Sequence, residues 1–147
     1  MISRTHRISK TLDAPLRFVY KWCTDFREDD GKLTGSTARR HIVDKSKRRV
    51  CWVSHYTDPK TGSELEGIRI VDLKPPNAWH LDAVGEDYLE IADYHLTAVG
   101  KGKTKLDMTM RLKYKEAPDQ TKEEWENGTS NQWDTYKAVL EKEYSES

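Results

Sequence analysis

Trp125, Thr129, Trp133, Tyr136, Leu140 and Tyr144 recur at three- and four-residue spacing near the C-terminus, which is the period of one helical face. The "TKEE" at Thr121 to Glu124 has the form of a capping box that would start the helix. A stripe this aromatic must be covered by another layer. What precedes it reads mostly as strands. In "KTKLDMTMRLKYK", from Lys103 to Lys115, Leu106, Met108, Met110, Leu112 and Tyr114 alternate with Asp107, Thr109, Arg111 and Lys113. That two-residue period puts one face on apolar ground and one in water. Arg49 to Thr57, Glu64 to Lys74, Ala78 to Val84 and Tyr88 to Val99 are rich in β-branched and aromatic residues. The segments "DPKTGS", "KPPNA", "GED" and "GKGK" punctuate them as turns. Thr37 to Asp44 adds a strand ahead of "KSKR". Strands at hairpin spacing make an antiparallel meander the simplest arrangement. The pattern predicts an α+β chain, with a curved antiparallel sheet of about six to seven strands wrapped on a long C-terminal helix.

Local features refine this expectation. Ser3 to Leu12 is a weaker strand, followed by a short helix in which Asp13 caps and Pro15 sits in the first turn. Pro15, Val19, Trp22 with Cys23, and Phe26 make its inner face. "REDDGKLTGS" is a polar break with room for one more helical turn. Leu65, then Ile68, Ile70 or Val71, and Leu73 supply the apolar positions of the Glu64 to Lys74 strand, with Gly67 a candidate bulge. "NGTSN" at Asn127 to Asn131 is poor helix material and predicts a kink or break. With no repeat, linker or low-complexity segment, residues 1–147 read as one domain.

Composition removes several functional classes. Lys plus Arg and Asp plus Glu number 25 each, so the net charge is zero and no global field favours nucleic acid. "ARRH" and "KSKRR", close together between Ala38 and Arg49, read as solvated hairpin charges before a basic patch. No run approaches the ~20 apolar residues of a membrane span, so stable membrane insertion is not expected. The N-terminal "MISRTHRISK" lacks an apolar signal core, which points to the cytoplasm. Cys23 and Cys51 are too few for a disulfide scaffold and lack zinc spacing, and both read as small buried hydrophobes. With no HExxH, paired CxxC, EF-hand loop, GxGxxG, P-loop or GxSxG, neither metal nor cofactor is expected.

Three stretches carry a resemblance. "ISKTLDAPLRFVYKWCTDF" resembles the N-terminal signature of the START, birch-pollen-allergen and polyketide-cyclase superfamily (SRPBCC), in Ala14-Pro15, Phe18-Val19 and Asp25-Phe26. "VDLKPPNAWHL" is similar to that superfamily's Pro-Pro turn, and "ADYHLTAVGKGKTKLDMTM" to its penultimate hairpin. The resemblance implies a helix-grip fold whose sheet and helix enclose a cavity for hydrophobic ligands. It also admits cyclases and activators of a heat-shock ATPase, so it locates a site without fixing what happens there.

Within such a fold Met108 and Met110 either fill a solid core or line a cavity, since thioethers adapt to irregular shapes. Trp52, Tyr56, Tyr94, Leu96, Trp125, Trp133 and Tyr136 are the other candidates for a ligand-binding wall. His55, His80, His95, Asp82 and Asp93 alternate with apolar neighbours and are expected to face outward. Only the reverse parity of the Tyr88 to Val99 strand would turn Asp93 and His95 inward as an acid–base pair. Tyr94 and Arg111 complete the nominees for chemistry. Binding of a small hydrophobic or aromatic molecule of lipid, sterol, quinone or polyketide class ranks first. A protein-interaction module with a filled core ranks second, and a polyketide cyclase or dehydratase-like enzyme third. A protein partner and the oligomeric state stay open.

Overall fold

The computed structural model describes residues 2–36, 38–58 and 60–147. Its elements are β1 (Ile2–Leu12), α1 (Leu16–Thr24), a 3-10 turn (Asp30–Thr34), β2 (Arg39–Lys45), β3 (Arg49–Thr57), β4 (Glu64–Lys74), β5 (Ala78–Val84), β6 (Tyr88–Gly100), β7 (Lys103–Tyr114) and α2 (Lys122–Ser145). The strands form one antiparallel sheet in the order β1-β7-β6-β5-β4-β3-β2. β2 to β7 are thus a meander, which β1 joins at the β7 edge. Thr37, expected to begin β2, and Pro59, in the "DPKTGS" turn, lie outside the described residues. The "GKGK" hairpin is closed by Gly102 at φ 73°, a left-handed conformation that favours glycine. Among the described residues, no helix is long and apolar enough to cross a membrane.

The inner face of the sheet carries the core. Leu12, Leu96, Leu106, Met108, Val50 and Val71 are fully buried. α2 contributes little to it, because Leu140 is its one buried residue. Trp125, Trp133 and Tyr136 are half-buried and hold the helix off the sheet over part of its length.

Four local expectations are corrected. Asp13 does not cap α1 through its side chain; its backbone N–H donates instead to Glu141 Oε2 on α2 at 2.6 Å. Gly67 is no bulge, since the β3–β4 register runs through it unbroken. A Cβ there would stand 3.2 Å from the Val84 carbonyl oxygen and 3.3 Å from the Tyr88 hydroxyl, so the glycine permits a close approach. On β4 the inward parity holds Leu65, Gly67, Arg69, Val71 and Leu73, so Leu65, Val71 and Leu73 face in as expected, while Ile68 faces out with 54% of its surface exposed. Apolar residues on both parities of that strand hid the choice.

The fourth concerns α2, which runs through Asn127 to Asn131 without a break. Thr121 and Glu124 close the capping box in both directions, and aromatic packing on either side of the weak segment overrides its low propensity. Gly128 still carries the backbone cost, and a Cβ there would meet nothing within 4 Å. Gly128→Ala is therefore expected to stabilise the protein by about 0.5–1 kcal/mol. Urea unfolding checks this; an unchanged or lower midpoint would mean that α2 is not a regular helix at this point.

Candidate functional site

Because the α2 aromatics stand off from the sheet, a cavity of about 560 Å³ remains between them. This lies in the size range of small-molecule sites. Its floor comes from three rungs of the inner sheet face. Met108 on β7 is in register with Tyr94 on β6 and, beyond it, Trp79 on β5. Tyr94 and Trp79 stack at 4.8 Å between ring centroids, 9° from parallel. Met110 lies on the next rung. The third rung reads Glu90, Ala83, Arg69 and Trp52 across β6, β5, β4 and β3. Ala83 is small and 1% exposed, so the Arg69 side chain can reach across its strand to Glu90. Arg69 Nη1 donates to Glu90 Oε2 at 3.3 Å, and Nη2 donates to the Tyr88 hydroxyl at 3.4 Å. Tyr88 lies against Gly85, where any side chain would displace its ring.

The rim is built by α1, the 3-10 turn and α2. Arg40 on β2 covers the Trp52 ring at 4.3 Å from its centroid and is pinned by Asp30 at 2.7 Å. Trp22 Nε1 donates to Glu143 Oε2 at 2.7 Å and ties α1 to α2. Trp133 packs edge-on against Tyr136 at 5.2 Å and tilts towards Tyr94 at 6.3 Å. Trp125 is set from below by His6, which is fully buried and stacks on it at 4.0 Å. His6 Nδ1 and Glu126 Oε1 are 3.3 Å apart, and His6 Nε2 is buried without a partner among the described residues. Burial lowers the His6 pKa against the pull of Glu126, so the ring is neutral with Nδ1–H donating to that carboxylate.

Trp52, Tyr94, Met108, Met110, Trp125, Trp133 and Tyr136 all line the cavity. Met108 and Met110 do two jobs. They are 1% and 5% exposed, packed on most sides, and border the open space with the remainder. Two nominees lie elsewhere. Leu96 is fully buried, paired with Leu106 one rung beyond the Tyr94 rung. Tyr56 faces inward further along β3, outside the cavity, and its buried hydroxyl makes no hydrogen bond among the described residues. Burial pushes that hydroxyl's pKa up to about 12.

Asp93, His95 and Arg111 are exposed on the outer face, so an inward Asp93–His95 pair is excluded. Asp93 binds His80 instead. His80 Nδ1 is 2.7 Å from Asp93 Oδ1, and Nε2 is 3.1 Å from Asp82 Oδ1. Burial lowers the His80 pKa, but these two carboxylates outweigh it and the net shift is upward. Among the described residues, no group of three His, Cys, Asp or Glu could hold a metal ion.

Besides Tyr94, the cavity is bordered by charged groups that periodicity did not nominate: Arg69, Glu90, Arg40 and Asp30, with Asp25, Arg27 and Glu143. Burial raises the Glu90 pKa, with Arg69 opposing. Burial also keeps Tyr94 far above an ordinary phenol, aided by Glu90. Tyr94 is therefore a neutral hydrogen-bonding group. Cys23 borders the cavity too, but burial pushes its thiol up to about 12, so it is no thiolate nucleophile at neutral pH. The arrangement can receive flat apolar rings between aromatic walls and meet a polar end with Arg69, Glu90 and Tyr94.

No family model and no curated protein matches the sequence. Solved structures do match the fold. The Zhui aromatase/cyclase from Streptomyces sp. R1128 superposes with a TM-score of 0.73 at 14% identity, covering 98% of this chain and 94% of its own. Ara h 8.0201 gives 0.71 at 14% identity, covering 99% of each chain. A START superfamily protein from Mycobacterium smegmatis gives 0.63 at 10% identity, covering 97% of each. Sheet, helices and these superpositions agree: the chain has a helix-grip fold, shared with these three proteins.

Proposed function

We propose that the protein binds a small amphipathic aromatic molecule between α2 and the sheet, with its rings against Trp133, Tyr94 and Met110 and its polar end against Arg69. The observation that carries this reading is a single ion pair, Arg69–Glu90, set into the inner face of the sheet beside stacked aromatics. A buried ion pair is weak support for stability, so its place at the edge of an open cavity argues for a ligand. It also narrows the ligand class. The core-facing apolar walls are largely covered by their own packing, whereas Arg69, Tyr94 and Trp133 are only partly buried. An oxygenated aromatic of quinone or polyketide type suits this better than a lipid or sterol. The open space between helix and sheet supports this reading over a filled-core interaction module.

A second reading has its own observation. Glu90 has a raised pKa and lies beside a guanidinium, a pairing that can take a proton while Arg69 polarises a carbonyl. One similar fold is named an aromatase/cyclase, which is consistent with cyclase-like chemistry on the same ligand class. Naphthol and naphthalene, followed by tryptophan fluorescence, test the binding reading. Naphthol is expected to bind the more tightly, Arg69→Met to erase its advantage, and Thr129→Trp at the cavity wall to abolish both. Equal affinity for the two, or indifference to Thr129→Trp, would sink the assignment. Incubation with a linear 1,3,5,7-tetraketone separates the readings: a ketone that changes no faster than in buffer means binding alone, and accelerated loss of one water means aldol cyclisation, in which a carbon–carbon bond forms and the aldol hydroxyl leaves as water.

A further inference from the structure

The outer face of the sheet carries an apolar patch that no element of the fold covers. Register places Leu89, Val84, Ile68 and Val53 side by side across β6, β5, β4 and β3. Ile68, Val84 and Leu89 expose 54%, 51% and 39% of their surface. The adjacent row holds Ile91, Asp82, Ile70 and Cys51 on the same strands. Asp82 is a charge within that row, and its carboxylate accepts from His80 in the row beyond, so it enters a contact already paired. Contiguous exposed aliphatics of this kind mark an interaction surface.

The two ends of the patch indicate its occupant. Beyond Ile91, β7 supplies Arg111, with Lys113 on the neighbouring row. Beyond Cys51, β2 supplies Asp44, with His41 on the neighbouring row. Among the described residues, none of these four takes part in an ion pair, although outer-face charges elsewhere pair readily, as Arg49 does with Asp72 and His80 with Asp93. A two-fold axis parallel to the strands and midway between β4 and β5 exchanges β7 with β2, β6 with β3, and β5 with β4. It lays Val84 on the second copy's Ile68, Leu89 on its Val53, and Ile91 on its Cys51. The same operation sets Arg111 over the second copy's Asp44, twice per dimer. Both strand sets then run in line, the aligned mode of sheet-on-sheet packing, and the contact is isologous. We infer that the protein forms a two-fold dimer through the outer face of its sheet, with an apolar centre and two Arg111–Asp44 pairs at its ends. The cavities face away from the interface, so both stay open.

Sedimentation velocity from low micromolar to near-millimolar protein tests this. A reversible dimer is expected. Ile68→Asp should weaken it by roughly tenfold or more, as expected for a charge placed in a desolvated patch. Arg111→Asp and Asp44→Arg should each weaken it, and the double reversal should recover most of the loss, because the pair is then reformed with opposite sense. All three substituted sites are solvent-exposed on the outer face, and circular dichroism confirms that each of the four variants is folded. A monomer throughout the series overturns the inference. So does a dimer indifferent to Ile68→Asp, or a double reversal as weak as the sum of its singles.

Discussion

Arg69→Met is expected to cost about 2–4 kcal/mol at neutral pH and clearly less in acid, because it leaves the Glu90 carboxylate buried without its cation. The sign follows from Glu90. In the native protein burial already raises its pKa above the ordinary value, with Arg69 opposing. A group raised on folding contributes most stability below its unfolded pKa and loses it as pH rises through the folded one. Removing Arg69 takes away the opposing effect and raises the folded pKa further. The variant should therefore be nearest to the parent below the ordinary carboxylate range and fall behind it as pH rises to neutrality. Glu90→Gln removes the titration, and the double variant Arg69→Met with Glu90→Gln should be flat in pH and more stable at neutrality than Arg69→Met alone. Urea unfolding of the four proteins across that range is the measurement. If Arg69→Met lost the same stability in acid as at neutrality, Glu90 would not depend on Arg69, and the polar end of the proposed ligand site would have no basis.

Periodicity alone does not reveal the Arg69–Glu90 pair. The long helix, the meander and most strand boundaries follow from periodicity and turn residues, because a sheet with one wet face must alternate and a helix must stripe. The site depended on parity, which fails where both faces carry apolar residues. On β4, Leu65, Val71 and Leu73 compete with Ile68 and Ile70, so Arg69 looked as much outward as inward. Ile68 and Ile70 are apolar without facing the core: both lie on the outer face, in register with Val84 and Asp82. On β6 the signal was present. Placing Tyr94 and Leu96 inward forces Glu90, four residues before Tyr94, to the same side. Pairing Glu90 with Arg69 needed the register across Ala83, two strands in sequence order apart, which one chain's pattern does not contain. Tyr56 and Leu96 show the opposite error. Both have inward parity, but parity selects a face, and the cavity occupies only part of that face.

Two tryptophans of the cavity wall differ in how tightly they are packed. Trp79 is 4% exposed on β5, stacked flat on Tyr94 and met edge-on by Tyr20 at 6.0 Å. Trp79→Ala removes a packed indole and the support of the Tyr94 ring, and should cost about 3–5 kcal/mol. Trp133 is half-buried on α2, with one side on Tyr136 and the other towards the cavity. A side chain already bordering empty space leaves less new void when it is truncated. Trp133→Ala should therefore cost only about 1–2 kcal/mol, yet weaken naphthol binding by roughly tenfold or more. Denaturant unfolding and fluorescence titration read the two effects separately. Equal stability losses for the two variants, with naphthol binding unchanged in Trp133→Ala, would make the α2 stripe ordinary core and close the cavity as a site. A small loss of stability joined to a large loss of affinity is the behaviour of a helix held off its sheet by the side chains that would grip a ligand.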